Sequence, residues 1–203
     1  FTAVQTEISA DGRMTGEATV KCSGYAKRDR GTSWTKNKEE FKQKFFSIPD
    51  MSVNLDDIAV NNINSDSLPL EQKVKFNCTL NHSGEYTYFP VNIFSGIHKN
   101  PFISEQRISD IEFGYLQDYT IVENFIIPEG YVIDAIPENI TLTLPDKSIV
   151  FSRFMAANEN KLNVRMTVEF KNSFYPVDLY EDFREFYKKL FSTLNEQVVI
   201  KKK

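Results

Sequence analysis

Apolar and polar residues alternate over long stretches of this chain, and the alternation predicts a protein built mainly of strands. Phe1 to Ile8 reads as a first strand, Asp11-Gly12 as a two-residue turn, and Met14 to Gly24 as its antiparallel partner, with Ala18, Val20 and Cys22 facing inward and Glu17, Thr19 and Lys21 outward. Lys73 to Leu80 alternates without a fault, so one face is buried and the other wet. Asn81 to Gly84, which includes His82, reads as a hairpin turn, and Glu85 to Phe89 pairs back until Pro90 ends the strand. In the second half, Tyr119–Ile127, Tyr131–Ile136, Asn139–Leu144, Ile149–Met155 and Leu162–Phe170 read as strands. The turns fall at Pro128-Glu129-Gly130, Pro145 to Ser148 and Ala157 to Asn160.

Two segments leave the two-residue period. Trp34, Phe41 and Phe45 are spaced by seven and four among charged residues, which predicts an amphipathic helix over Ser33 to Phe46, ended at Ile48-Pro49. Met51 to Ile63 then resumes a strand pattern. Near the C-terminus, Leu179, Phe183, Phe186, Leu190 and Leu194 fall on one helical stripe, with Asp178 as the expected N-cap and Val198-Val199-Ile200 as a closing strand. The fold class is therefore mainly β within α+β: antiparallel, sandwich-like sheets with an amphipathic helix in the first half and a C-terminal helix. The irregular stretch from Val91 to Tyr115 divides a β-rich subdomain with one helix (1–95) from a sandwich subdomain with the C-terminal helix (96–203).

The composition narrows the function classes. With 203 residues and 41% hydrophobic content the chain can fill a substantial core. A net charge of −4 lacks the basic excess that a nucleic-acid partner requires, and no apolar run is long enough for a membrane span. A strand beginning at Phe1, with no polar lead-in, leads us to expect excision from a longer polypeptide.

Candidate chemistry is sparse. Cys22 and Cys78 fall in phase with inward-facing positions, where a thiol is a small hydrophobe and not a nucleophile. One disulfide between them and a pair of buried free thiols are both open. His82 and His98 show neither ligand nor triad spacing, so no metal, no cofactor and no catalytic residue is assigned. Asp56 and Asp57 are adjacent carboxylates that a strand would point to opposite faces. Sequon-like triplets at Asn77, Asn81 and Asn139 are short enough to arise by chance. Tyr86 and Tyr88 share one face of a short strand and are the candidate platform for a glycan or peptide ligand, against the plainer reading that they fill the space between sheets.

Asp11-Gly12, Gly24-Tyr25-Ala26, Asn100-Pro101-Phe102, Glu105-Gln106-Arg107, Glu112-Phe113-Gly114-Tyr115 and the closing run Tyr180 to Lys202 resemble the C-terminal portion of exported bacterial transglutaminase-like proteins. In that family a papain-like core with a Cys-His-Asp triad is flanked by β-rich domains of unknown function, and none of the catalytic positions has a match here. The resemblance implies a non-catalytic accessory domain that positions or gates the catalytic core, whose partner is the upstream catalytic domain of the same polypeptide. It also implies export to the periplasm or cell surface of a Gram-negative bacterium. The alternative is an independent carbohydrate- or protein-binding module at the cell surface.

Overall fold

The computed structural model describes residues 1–56, 58–97 and 99–203; Asp57 and His98 lie outside the described residues. Strands β1 (Thr2–Ile8) and β2 (Arg13–Cys22) form the first hairpin, from Thr2↔Val20 to Ile8↔Met14. Its turn is not a two-residue type I′ turn. The Gly12 N–H donates to the Ser9 carbonyl at 3.0 Å, Ser9 N–H to Arg13 at 2.9 Å, and only Gly12 has a left-handed φ of 81°. This is the three-residue loop that ends in a left-handed glycine, and the Asp11 carboxylate, accepting from the Ser9 hydroxyl and the Arg13 N–H, holds it.

The helix expected over 33–46 is two helices, α1 (Gly24–Lys36) and α2 (Lys38–Phe45). Asn37 breaks the run with an extended backbone (φ −156°, ψ 110°), and its side-chain oxygen accepts from the N–H groups of Glu39 (3.0 Å) and Glu40 (3.3 Å). An asparagine competes with the helix for its own backbone donors, so it starts α2 where an apolar residue would have continued α1. Helix α1 carries no apolar stripe and buries only Arg30. That guanidinium lies 4.2 Å from the Phe45 ring centroid and donates to Gln72 Oε1 at 2.7 Å.

The strand expected over 51–63 is two short ones, β3 (Val53–Leu55) and β4 (Ala59–Asn61), both paired along β5 (Leu70–Thr79). Next, β6 (Asn81–Ser83) and β7 (Tyr86–Pro90) turn through Gly84-Glu85, so His82 sits in a strand opposite Thr87. After a crossing segment that contains β8 (Ile111–Glu112) come β9 (Tyr119–Ile126), β10 (Tyr131–Ala135), β11 (Ile140–Thr143), β12 (Ile149–Asn158) and β13 (Lys161–Phe170). The chain closes with β14 (Phe174–Tyr175), α3 (Tyr180–Leu194) and β15 (Gln197–Lys202). Asp178 lies in a 3-10 turn before α3 and makes no side-chain cap. Lys201 and Lys202 belong to β15.

The strands form a nine-stranded sheet, β11-β12-β13-β9-β1-β2-β5-β3 with β4 also on β5, and a four-stranded sheet, β10-β15-β7-β6. Pairing is antiparallel except where β1 meets β9, which run parallel from Thr2↔Ile121 to Glu7↔Ile126. Hairpins force antiparallel neighbours, but β1 and β9 are joined by more than a hundred residues, which leave their relative direction to the core. The subdomains expected at 1–95 and 96–203 thus share one sheet, and their buried apolar residues form one cluster.

The nine-stranded sheet is wet on one face, with Gln5, Glu17, Lys75 and Asn124 there, and apolar on the other, the division that alternation demands. The four-stranded sheet, α2, α3 and the crossing segment cover the apolar face. Phe89 of β7 meets Phe125 of β9 with centroids 4.9 Å apart, and Phe94 of the crossing meets Phe76 of β5 at 4.8 Å. Helix α3 is fixed at its C-terminal end by the buried Arg153 of β12, which donates to the Thr193 carbonyl at 2.6 Å and pairs with Glu196 at 2.5 Å. A cation there answers the unsatisfied carbonyls and the negative end of the helix dipole.

Candidate functional site

A cavity of about 600 Å³ opens where α2, the crossing segment, β13 and α3 meet. Its wall is aromatic: Phe113, Tyr119, Phe170, Tyr187 and Phe191 line it. The α3 stripe supplies Tyr187 and Phe191, because residues four apart stack on one helix face. Tyr187 is stacked on Phe183 (4.9 Å) and Phe102 meets both rings edge-on at 4.6–4.7 Å, so this wall is backed by a packed aromatic cluster. Phe170 ends β13, its N–H donating to the Asp118 carboxylate at 2.9 Å, and packs edge-to-face on Phe113.

The polar groups at the cavity are few. Tyr119 donates to Gln117 Oε1 at 3.1 Å, and burial pushes its hydroxyl up to about 12. Tyr187 is 8% exposed, its hydroxyl has no hydrogen-bond partner among the described residues, and burial likewise pushes its pKa up. The charged residues of the lining are two lysines: Lys44, held 3.0 Å from the Asp29 carboxylate, and Lys99, which makes no ion pair among the described residues. Aromatic walls with a few convergent polar groups are what small-ligand sites share.

The crossing segment that forms one rim is anchored from below. Glu123 of β9 is fully buried, and one carboxyl oxygen accepts the Ile93 N–H at 2.9 Å. Burial raises its pKa well above the carboxylate range, the Ile93 N–H opposing, and its other oxygen has no partner among the described residues. Glu123 thereby pins the stretch that leads to Gly96 and Ile97 at the cavity edge.

The residues singled out by sequence lie elsewhere. Tyr86 and Tyr88 stand half-buried on the outer face of β7, beside Val199 and Lys201 of β15, with the Lys201 ammonium 5.2 Å from the Tyr86 ring centroid. Neither ring fills the space between the sheets; Thr87 and Phe89 point there. Cys22 and Cys78 are both free. In the β2–β5 ladder Cys22 faces Leu70 and Cys78 faces Met14, so the sulfurs are eight residues apart along β5. That is roughly 27 Å at about 3.4 Å per residue, far beyond the reach of a disulfide. Burial raises both thiols, Cys78 to about 11. Asp56 is exposed, its N–H donating to the Lys75 carbonyl; Asp57 and His98 are outside the described residues. Among the described residues no three His, Cys, Asp or Glu side chains are grouped to hold a metal, and no helix is long and apolar enough to cross a membrane.

The cavity residues escaped sequence reading because they come from α2, the crossing segment, β9, β13 and α3, spread between Gln43 and Phe191. The α3 stripe was the one local signal, and it reads equally as core.

A fold of this kind, with two sheets and a closing helix packed over an aromatic cavity, defines a β-rich domain. Residues 85–200, more than half of the chain, match the family described as "Domain of Unknown Function with solved-structure structure (DUF3858)", and the chain belongs to that family. The matched range runs from the β6–β7 turn to β15 and includes every wall of the cavity except the one from α2. Neither a curated protein nor a solved structure matches the chain.

Proposed function

We propose that this chain is a non-catalytic accessory domain of a larger exported, transglutaminase-like or cysteine-protease-like protein of a Gram-negative bacterium, acting in the periplasm or at the cell surface. It packs against the catalytic domain of the same polypeptide and shapes access to its cleft. The observation that carries this reading is a set of exposed large apolar residues on the segments tied to the start of α3. Ile103 is 80% and Ile108 100% exposed, and Phe174 is half exposed. Their segments are tied to the start of α3 and to β8: Tyr180 donates to the Ser104 carbonyl (2.8 Å), Val177 N–H to the Asp110 carboxylate (2.8 Å), and β14 pairs Phe174 with Glu112. Exposed large apolar residues on neighbouring, anchored segments favour a surface that another protein covers, and each would gain about 1.5–3 kcal/mol on full burial. The raised thiols of Cys22 and Cys78 also favour a non-catalytic role.

The test is a calorimetric titration of this chain against the separately expressed upstream catalytic domain, with turnover followed in parallel. Binding that alters turnover, and that Ile103→Asp with Ile108→Asp abolishes, is the expected result. Absence of heat at high micromolar concentration refutes the accessory reading. The half-exposed Tyr86 and Tyr88 favour the second reading, an independent glycan- or peptide-binding module, and glycan-array binding that Tyr86→Ala removes would support it.

A further inference from the structure

We propose that the cavity between α2, α3 and the crossing segment binds a small aryl carboxylate, its ring held against Phe113, Phe170 and Phe191 and its carboxylate met by Lys99 and the Tyr187 hydroxyl. Three independent features carry this. The wall is built of ring faces and edges, which favour a flat aromatic body by offset or edge-on stacking. Among the described residues the charge at the lining is of one sign, Lys44 and Lys99 with no carboxylate, and since Asp29 engages Lys44, Lys99 is the cation there without an ion pair. Finally, Tyr187 lines the cavity and its hydroxyl makes no hydrogen bond to the described residues, which leaves its donor for an acceptor bound there. Because burial keeps that phenol protonated, it is a donor, and it complements an anion and not a second cation. Among the described residues one ammonium without an ion pair and one hydroxyl suit a monoanion, and no arginine lines the cavity to fork a phosphate. At about 600 Å³ the space falls within the range of small-molecule sites.

Neither Ile103 nor Ile108 lines this site, so the accessory role and the ligand stand or fall separately. The probe is 1-naphthylacetate, with neutral 1-naphthylacetamide as control, titrated into the full chain by calorimetry and by amide NMR. The acid is expected to saturate one site with a dissociation constant of about 10 μM to 1 mM, and the amide to bind about two- to fivefold more weakly, the range of a single partly exposed ionic contact. Lys99→Gln, an exposed position that leaves the core untouched, should bring the acid down to the affinity of the amide and leave the amide unchanged. Tyr187→Phe should weaken the acid more than the amide. Leu190→Trp, which fills the cavity, should abolish both while a retained melting temperature shows the chain folded; if it does not fold, Lys99→Gln alone decides. Equal binding of acid and amide, shifts centred on Tyr86 and Tyr88, or no saturation below several millimolar would overturn the proposal.

Discussion

Glu123 makes the stability of this fold fall as pH rises, and Glu123→Gln should remove that dependence. The carboxyl group is fully buried, its raised pKa is caused by desolvation, and the single Ile93 N–H that it accepts, at 2.9 Å, is too little to keep it ionised. In the unfolded chain a glutamate titrates near 4.3, so above about pH 4 unfolding releases a proton that the fold retains. Its contribution is full below that pH and is lost, at about 1.4 kcal/mol per pH unit, as pH rises toward the folded-state value. Glutamine keeps an acceptor for Ile93 and cannot ionise. Urea unfolding of both proteins from about pH 5 upward should therefore give a stability difference that grows in favour of the variant as pH rises, and that levels off once pH passes the folded-state value. A constant difference across the range would show that the carboxyl is ionised in the fold and that burial does not control it. Glu123→Leu separates anchoring from titration: it strands the Ile93 N–H at a cost of about 1–3 kcal/mol and should speed exchange of that amide.

Gly16→Ala should destabilise by about 1–3 kcal/mol in the same assay, the usual penalty of overpacking, because a Cβ there would lie 2.6 Å from the Gln5 carbonyl oxygen and 2.9 Å from the Phe76 ring. A neutral result would mean that β1 and β2 can separate at that pair. Asn37→Ala removes the cap of α2 and should cost about 1 kcal/mol, read as a lower melting temperature; an unchanged one would mean that α1 and α2 fuse without loss. Denatured without reductant, the chain should take up two equivalents of an alkylating reagent, since both cysteines are free. In the native state Cys78, with its thiol pushed up to about 11, should react far more slowly than it does unfolded; recovery of no free thiol would refute the ladder that separates the two cysteines.

The alternation of Lys73 to Leu80 and of Leu162 to Phe170, and the α3 stripe, were sufficient to assign those elements and their buried faces, because each reports a local period against one apolar surface. Local chemistry that overrides a period was harder to read: Asn37 splits what the spacing of Trp34, Phe41 and Phe45 joins, and Gly12 takes a three-residue loop where Asp-Gly signals two. The parallel meeting of β1 with β9, the burial of Arg30 in a helix without an apolar stripe, and the cavity assembled from Lys44, Lys99, Phe113, Phe170 and Tyr187 had no local signature. Alternation depends on a residue's immediate neighbours, and so the sequence by itself determined which faces are apolar. Which apolar faces meet, and what space they leave between them, depends on packing between segments up to about 150 residues apart, and only the tertiary structure decided it.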